Sequence, residues 1–197
     1  KEVITSPGWK DAYTQFVEAG WNGLSGPTEF GGQGLPQGLA MAVGEMWNGA
    51  NMAFALCPLL TQGAVEAIDQ FGSAELKAKY LPKMIAGEWT GSMQLTEPGA
   101  GSDLHFLKTR AIPQSDGSYK LTGTKIFITY GEHSLTSNII HLVLARLPDA
   151  PPGTKGISLF VVPKYLAADD GSLGARNDVF CSKLEHKLGI HGSPTCV

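Results

Sequence analysis

Tyr80–Asp103, YLPKMIAGEWTGSMQLTEPGAGSD, is where the chain changes character. Before it, apolar residues recur at helical spacing: Leu76, Tyr80 and Leu81 form one stripe, and Lys77, Lys79 and Lys83 fall on the solvated side. Beyond about Glu88 the pattern becomes short apolar or alternating runs rich in β-branched residues, the signature of strands. Helices followed by strands, with no alternation between them, predict an α+β chain.

Working outward toward the N-terminus, Ser6 is the expected N-cap of a first helix with Pro7 in its first turn. Tyr13, Phe16 and Val17 share one face of it and Gly20 closes it. After the turn PTEFGGQGLP, Gly38–Asn48 reads as a second helix with Leu39, Ala42, Val43 and Met46 on one side. Pro58–Gln70 reads as a third, ended by Gly72, and Ser73 caps a fourth. Toward the C-terminus the expected strands are Gly91–Thr96, Leu107–Ile112, Ser118–Leu121, Lys125–Thr129, Asn138–Ala145, Ile157–Val162 and Val179–His186. Their Gly, Pro and Asp turns suggest an antiparallel barrel or sandwich, and Ala167–Asp178 reads as a polar loop or insertion. Residues 1–88 are thus expected to form a helical domain, and 89–197 a β-domain incomplete at its C-terminal end.

The composition narrows the function. A formal net charge of -3 with scattered Lys and Arg gives no basic stripe for a phosphate backbone, so no nucleic-acid partner is expected. The longest weakly charged stretch, Gly34–Leu60, carries Glu45, Asn48 and Asn51, which argues against membrane insertion. No secretory signal is visible, and Cys57, Cys181 and Cys196 match neither a zinc spacing nor a CxxC pair. The expectation is a cytoplasmic protein with reduced thiols and no metal, His186 and His191 included. The ending SPTCV, with no stop signal, suggests a fragment.

Two stretches carry chemistry. In Thr96–Asp103 the glycines allow the backbone to approach a ligand closely, so that successive N–H groups can face an anion such as a pyrophosphate, with Ser102 adding a hydroxyl. Each charge-assisted bond of that kind contributes roughly 1.5–3 kcal/mol. A ligand-free tight turn explains the same residues, and no GxGxxG or GK[ST] loop is present. In Gly123–Gly131, GTKIFITYG, strand alternation sets Phe127 and Thr129 on one side and Ile128 on the other. An aromatic and a hydroxyl on one face suit a flat heteroaromatic ring, although core packing explains them too.

PTEFGGQG, YLPKMIAGEWTGSMQLTEPGAGSD and GTKIFITYG, taken together in this order and spacing, resemble the acyl-CoA dehydrogenase family from about Gly20 to Val197. The stretch CSKLEHKLGIHGSPTCV looks closest to its larger bacterial members, those like methylthiopropanoyl-CoA dehydrogenase. The resemblance implies a helical domain, a middle β-domain and a C-terminal helical bundle, the last missing here, with FAD as cofactor. It implies that Met93, Gln94, Leu95 and Thr96 run beside the flavin ring, that Gly101 and Ser102 meet the pyrophosphate, and that Phe127, Ile128 and Thr129 wall the flavin. Phe127 stands where many members have Trp. It further implies substrate contacts from Ser102 and Lys155, and dehydrogenation of an acyl-CoA to the trans-2-enoyl-CoA with electrons passed to an electron-transfer flavoprotein.

The catalytic Glu of the family lies in the bundle, so no catalytic residue is expected in this chain and Glu97 is expected to fix its loop. The full-length protein is expected to be a homodimer or homotetramer. An acyl-CoA oxidase on the same scaffold, and a non-catalytic binding or assembly module, stay open as alternatives at this point.

Overall fold

The computed structural model describes residues 2–197. Helix α1 (Trp9–Glu18) presents Tyr13 and Phe16 to the interior; Gly8, in the left-handed region, precedes it in place of a side-chain cap from Ser6. The two helices expected between Gly38 and Gln70 are one helical run, α2 (Gln37–Phe71), interrupted at Asn51, whose backbone is extended (φ -159°, ψ 92°). There the Asn51 side chain accepts from Phe54 N at 3.1 Å, capping the second half. Pro58 therefore sits inside a helix rather than at its start.

Helix α3 (Ala74–Ile85) begins as expected, with Ser73 Oγ accepting from Leu76 N at 3.3 Å. At its C-terminal end Asn22 Nδ2 donates to two carbonyls, Met84 O at 2.8 Å and Ile85 O at 3.1 Å, and Met84 O accepts from Gly87 N at 3.1 Å as well. Tyr13 Oη donates to Gly87 O at 2.9 Å, so α1 and the segment after it hold the α3–strand junction.

The strands follow as β1 (Trp89–Gln94), β2 (Arg110–Pro113), β3 (Tyr119–Thr122), β4 (Ile128–Thr129), β5 (Asn138–Arg146), β6 (Ile157–Pro163), β7 (Tyr165–Ala167), β8 (Leu173–Arg176) and β9 (Thr195–Cys196). The α+β order stands, but the sheet is mixed and forms no closed barrel. Strand β5, almost wholly buried, pairs in parallel with β1 along Asn138–Val143 and antiparallel with β6 along Ile140–Arg146. A near-continuous apolar run is what a strand covered on both faces requires. Three expectations for this half fail: of the strand expected over Lys125–Thr129 only Ile128 and Thr129 form one. The segment Ala167–Asp178, expected as a polar loop, supplies the end of β7, the turn and β8 of a hairpin, and of Val179–His186 only Leu184 makes a strand-like bridge, to Cys196.

One face of β1 packs on the helices. Trp89 and Met93 join Ala64, Val65, Ile68, Leu81 and Met84 in the core. A Cβ at Gly91 would lie 2.5 Å from that of Ala64, and Gly91 N donates to Thr61 Oγ1 at 3.1 Å, so α2 approaches β1 at backbone distance. The other face of β1 is polar and buried: Ser92 Oγ lies 2.7 Å from His141 Nδ1, and Thr90 Oγ1 lies 2.9 Å from His133 Nε2. Leu135 N donates to His133 Nδ1 at 3.1 Å, so that imidazole is the neutral Nε2–H tautomer and donates to Thr90.

Candidate functional site

Leaving β1, the chain makes a two-residue turn, Pro98–Gly99, closed by reciprocal bonds between Glu97 and Ala100, each 3.0 Å. Ala100 is buried, while Gly101 and Ser102 are exposed. Neither Gly99 nor Gly101 has positive φ, and a Cβ at either would meet nothing within 4 Å. Neither backbone conformation nor packing within the chain calls for glycine there, in contrast to Gly91. The space beside this loop is open to a molecule approaching the backbone.

The second stretch lies directly against the first. Ile126 N donates to Thr96 O at 2.9 Å, and Lys125 Nζ donates to Leu95 O at 3.0 Å and to Glu97 Oε1 at 2.9 Å. Glu97 also accepts from Lys108 N at 2.7 Å, Thr109 N at 2.9 Å and the Thr109 hydroxyl. Burial alone would raise the Glu97 pKa; these bonds outweigh it and hold the carboxyl below its usual range. Burial likewise lowers the pKa of Lys125, against the pull of Glu97. Glu97 is thus the pin of its loop.

After Ile126 the backbone turns before β4 begins at Ile128. Phe127 adopts φ 58° and Tyr130 φ 51°, left-handed conformations that are strained for aromatic residues. Between them β4 pairs with β9, Ile128 opposite Cys196 and Thr129 opposite Thr195. Phe127 therefore owes its outward direction to this backbone twist and not to strand alternation. It is 48% exposed, Ile128 is buried and Thr129 half-buried.

The remaining expected residues are spread around this centre. Met93 turns toward the helical core, and Gln94 faces the polar side of β1. A cavity of about 1090 Å³ on that side is lined by Gln94, Lys125, Ile128, Glu132, His141 and Cys196, among others, whereas Thr96, Ser102, Phe127 and Thr129 do not line it. Lys155 is exposed in the 3-10 turn Thr154–Gly156. Arg146, which the sequence reading did not single out, ties that region to the loop after Ser102: Nε donates to Leu107 O at 2.9 Å, Nη2 to His105 O at 3.0 Å and Nη1 to Gly153 O at 2.7 Å. Its signal in the sequence was a lone Arg ending an apolar run.

The other buried carboxylate among the described residues, Glu132, is paired with Lys164 and, at 3.0 Å, with Arg176 Nη2. Burial raises its pKa, and those two cations reverse the shift and keep it ionised. Burial drives the pKa of His133 down to about 3 and that of His141 down to about 4. No group of three or more metal-ligating side chains occurs among the described residues, and no helix there is long and apolar enough to cross a membrane.

Comparison with known proteins places this arrangement. Residues 5–88 match the acyl-CoA dehydrogenase N-terminal domain and residues 92–197 the acyl-CoA dehydrogenase middle domain. The 3-methylmercaptopropionyl-CoA dehydrogenase of Ruegeria pomeroyi is 56% identical over 99% of this chain, which spans 33% of that protein. An acyl-CoA dehydrogenase of Bacillus anthracis solved in complex with FAD superposes with a TM-score of 0.74 at 31% identity, covering 95% of this chain and 29% of that one. A chain in the solved structure of the electron transferring flavoprotein of Acidaminococcus fermentans superposes at 0.75 and 28% identity, covering 95% of this chain and 45% of that one. With both of its halves matched in order, the chain belongs to the acyl-CoA dehydrogenase family, a family of FAD-dependent oxidoreductases.

Proposed function

We propose that this chain forms the flavin-holding front part of an enzyme that dehydrogenates an acyl-CoA thioester to the trans-2-enoyl-CoA and passes the electrons to an electron-transfer flavoprotein. The observation that carries the reading is the Lys125–Glu97 clamp, which sets a glycine loop with open space beside it next to an exposed aromatic and a half-buried hydroxyl. That set fits FAD. Gly101 and Ser102 offer backbone and hydroxyl donors to its pyrophosphate, and Thr96 a hydroxyl to the pyrimidine edge. Phe127 offers a stacking face, and Thr129 would offer a hydroxyl to the N5 region. Leu95 and Ile128 frame the ring, while Met93 and Gln94 belong to the same strand segment that runs beside it. Bound FAD supplies the acceptor for the β-hydride.

Ser102 and Lys155 are assigned to the CoA arm. No carboxylate of this chain is assigned to the α-proton: both buried ones, Glu97 and Glu132, are already engaged with cations and held ionised in structural roles. A general base contributes ~10²–10⁴-fold in rate, so the 197-residue chain by itself is expected to be inactive.

The test is anaerobic. FAD added to the chain should bind with a change in flavin fluorescence, and acyl-CoA added afterwards should not bleach the flavin rapidly. In the enzyme carrying the whole family architecture, Thr129→Val should slow flavin reduction. Failure of the chain to bind FAD refutes the cofactor assignment; rapid bleaching by the chain alone refutes the absence of a base.

A further inference from the structure

Lys187 stands over the ring of Phe127, its Nζ 5.0 Å from the ring centroid. The two residues are far apart in sequence, and a ladder of backbone pairs joins them. Thr129 in β4 faces Thr195 in β9, Glu185 N donates to Thr195 O at 2.8 Å, and Leu184 bridges to Cys196. Two residues beyond Glu185, Lys187 reaches back over the residue that lies two before Thr129. The segment that carries it is anchored at its far end as well, since a Cβ at Gly192 would lie 2.8 Å from the Trp9 ring. Among the described residues Lys187 makes no ion pair, so its ammonium is not drawn away by a carboxylate.

We infer that Lys187 is a positioning residue for the flavin site: it covers one face of Phe127, leaves the other face for the flavin, and adds positive charge behind that wall. This rests on the cofactor assignment above. A cation over an aromatic face is attracted by the ring quadrupole and fixes the ring's orientation. Its charge also acts through the ring on whatever stacks beyond it. Reduced flavin carries more negative charge than oxidised flavin, so the ammonium favours the reduced form and raises the reduction potential.

Two measurements test this. In the flavin-free chain, the Lys187 side-chain methylene protons should be shifted upfield by the ring current and return to ordinary positions in Phe127→Leu; ordinary shifts in the unaltered chain would overturn the contact. In the FAD-loaded protein, Lys187→Met should lower the affinity ratio of reduced over oxidised flavin about tenfold, a fall of ~30 mV in the two-electron potential, while Lys187→Arg keeps most of it. An unchanged potential in a folded, FAD-bound Lys187→Met protein overturns the role of Lys187 and leaves the cofactor assignment standing. Failure of the unaltered chain to bind FAD overturns both.

Discussion

Lys125 Nζ lies 2.9 Å from Glu97 Oε1 and 3.0 Å from Leu95 O, with both side chains of the ion pair buried. The two stretches that the sequence marks as chemical are joined at this point. Removing one partner of a buried pair strands the other charge away from water, which costs far more than the pair itself contributes.

Lys125→Met is therefore expected to destabilise the chain by about 3–5 kcal/mol and to weaken FAD binding, measured by urea unfolding and flavin titration. Glu97→Gln keeps one acceptor oxygen but sets an NH2 donor against either Lys108 N or Thr109 N, which bond different carboxylate oxygens. It also leaves the Lys125 ammonium buried without its counter-charge, so its cost should be similar, about 3–5 kcal/mol. A loss below about 1 kcal/mol in either variant would show that the ion pair is not what holds the loop.

Phe127 makes the opposite prediction for stability and binding. Its left-handed backbone costs about 1–2 kcal/mol that glycine would not incur, set against about 0.5–1 kcal/mol of chain entropy. Phe127→Gly should leave the thermal midpoint of the flavin-free chain unchanged or slightly raised, yet weaken FAD binding. A large drop in that midpoint would mean that the ring is held by packing and not kept for a ligand.

The buried imidazoles predict acid sensitivity. His133 and His141 have folded-state pKa values near 3 and 4, below the ~6.5 of an unfolded histidine. As the pH falls below 6.5 the unfolded chain binds the protons first, so the stability that both confer at neutral pH declines. The slope is about 1.4 kcal/mol per pH unit for each histidine, down to pH 4 for His141 and pH 3 for His133. Urea midpoints between pH 7 and pH 4.5 should show this, and His133→Gln should remove about half of the slope. Below about pH 4.5, protonation of Glu97 and Glu132, whose folded values are depressed, adds to the loss.

Arg146 fastens four carbonyls with one guanidinium fork, Pro151 O at 3.4 Å being the longest bond. Arg146→Lys supplies a point charge without the planar donors and should cost at least about 2 kcal/mol. Amide hydrogen exchange should speed up in residues 104–107 and 153–156 while β1 stays protected; uniform acceleration would contradict a local role.

What the sequence determined by itself is local. Ser73 caps its helix, β5 begins at Asn138 and reads as a buried apolar run, and the change from helix to strand falls within Tyr80–Asp103, because caps and periodicity act across a few residues. The β7–β8 hairpin was within reach as well: the Asp-Gly pair at Asp170–Gly171 is a turn signal, and Asp170 accepts from Ser172 N at 2.8 Å.

Other features needed the folded chain. Asn51 looks like one more polar residue in a helical pattern until its side chain caps a new helix. The parallel pairing of β1 with β5 and the Lys187 ammonium over the Phe127 ring join residues distant in sequence, and the left-handed turn at Phe127 accompanies the distant pairing of β4 with β9. Such pairings arise only when chain closure brings the partners together and burial favours one register over the rest, and no window of neighbouring residues records that choice.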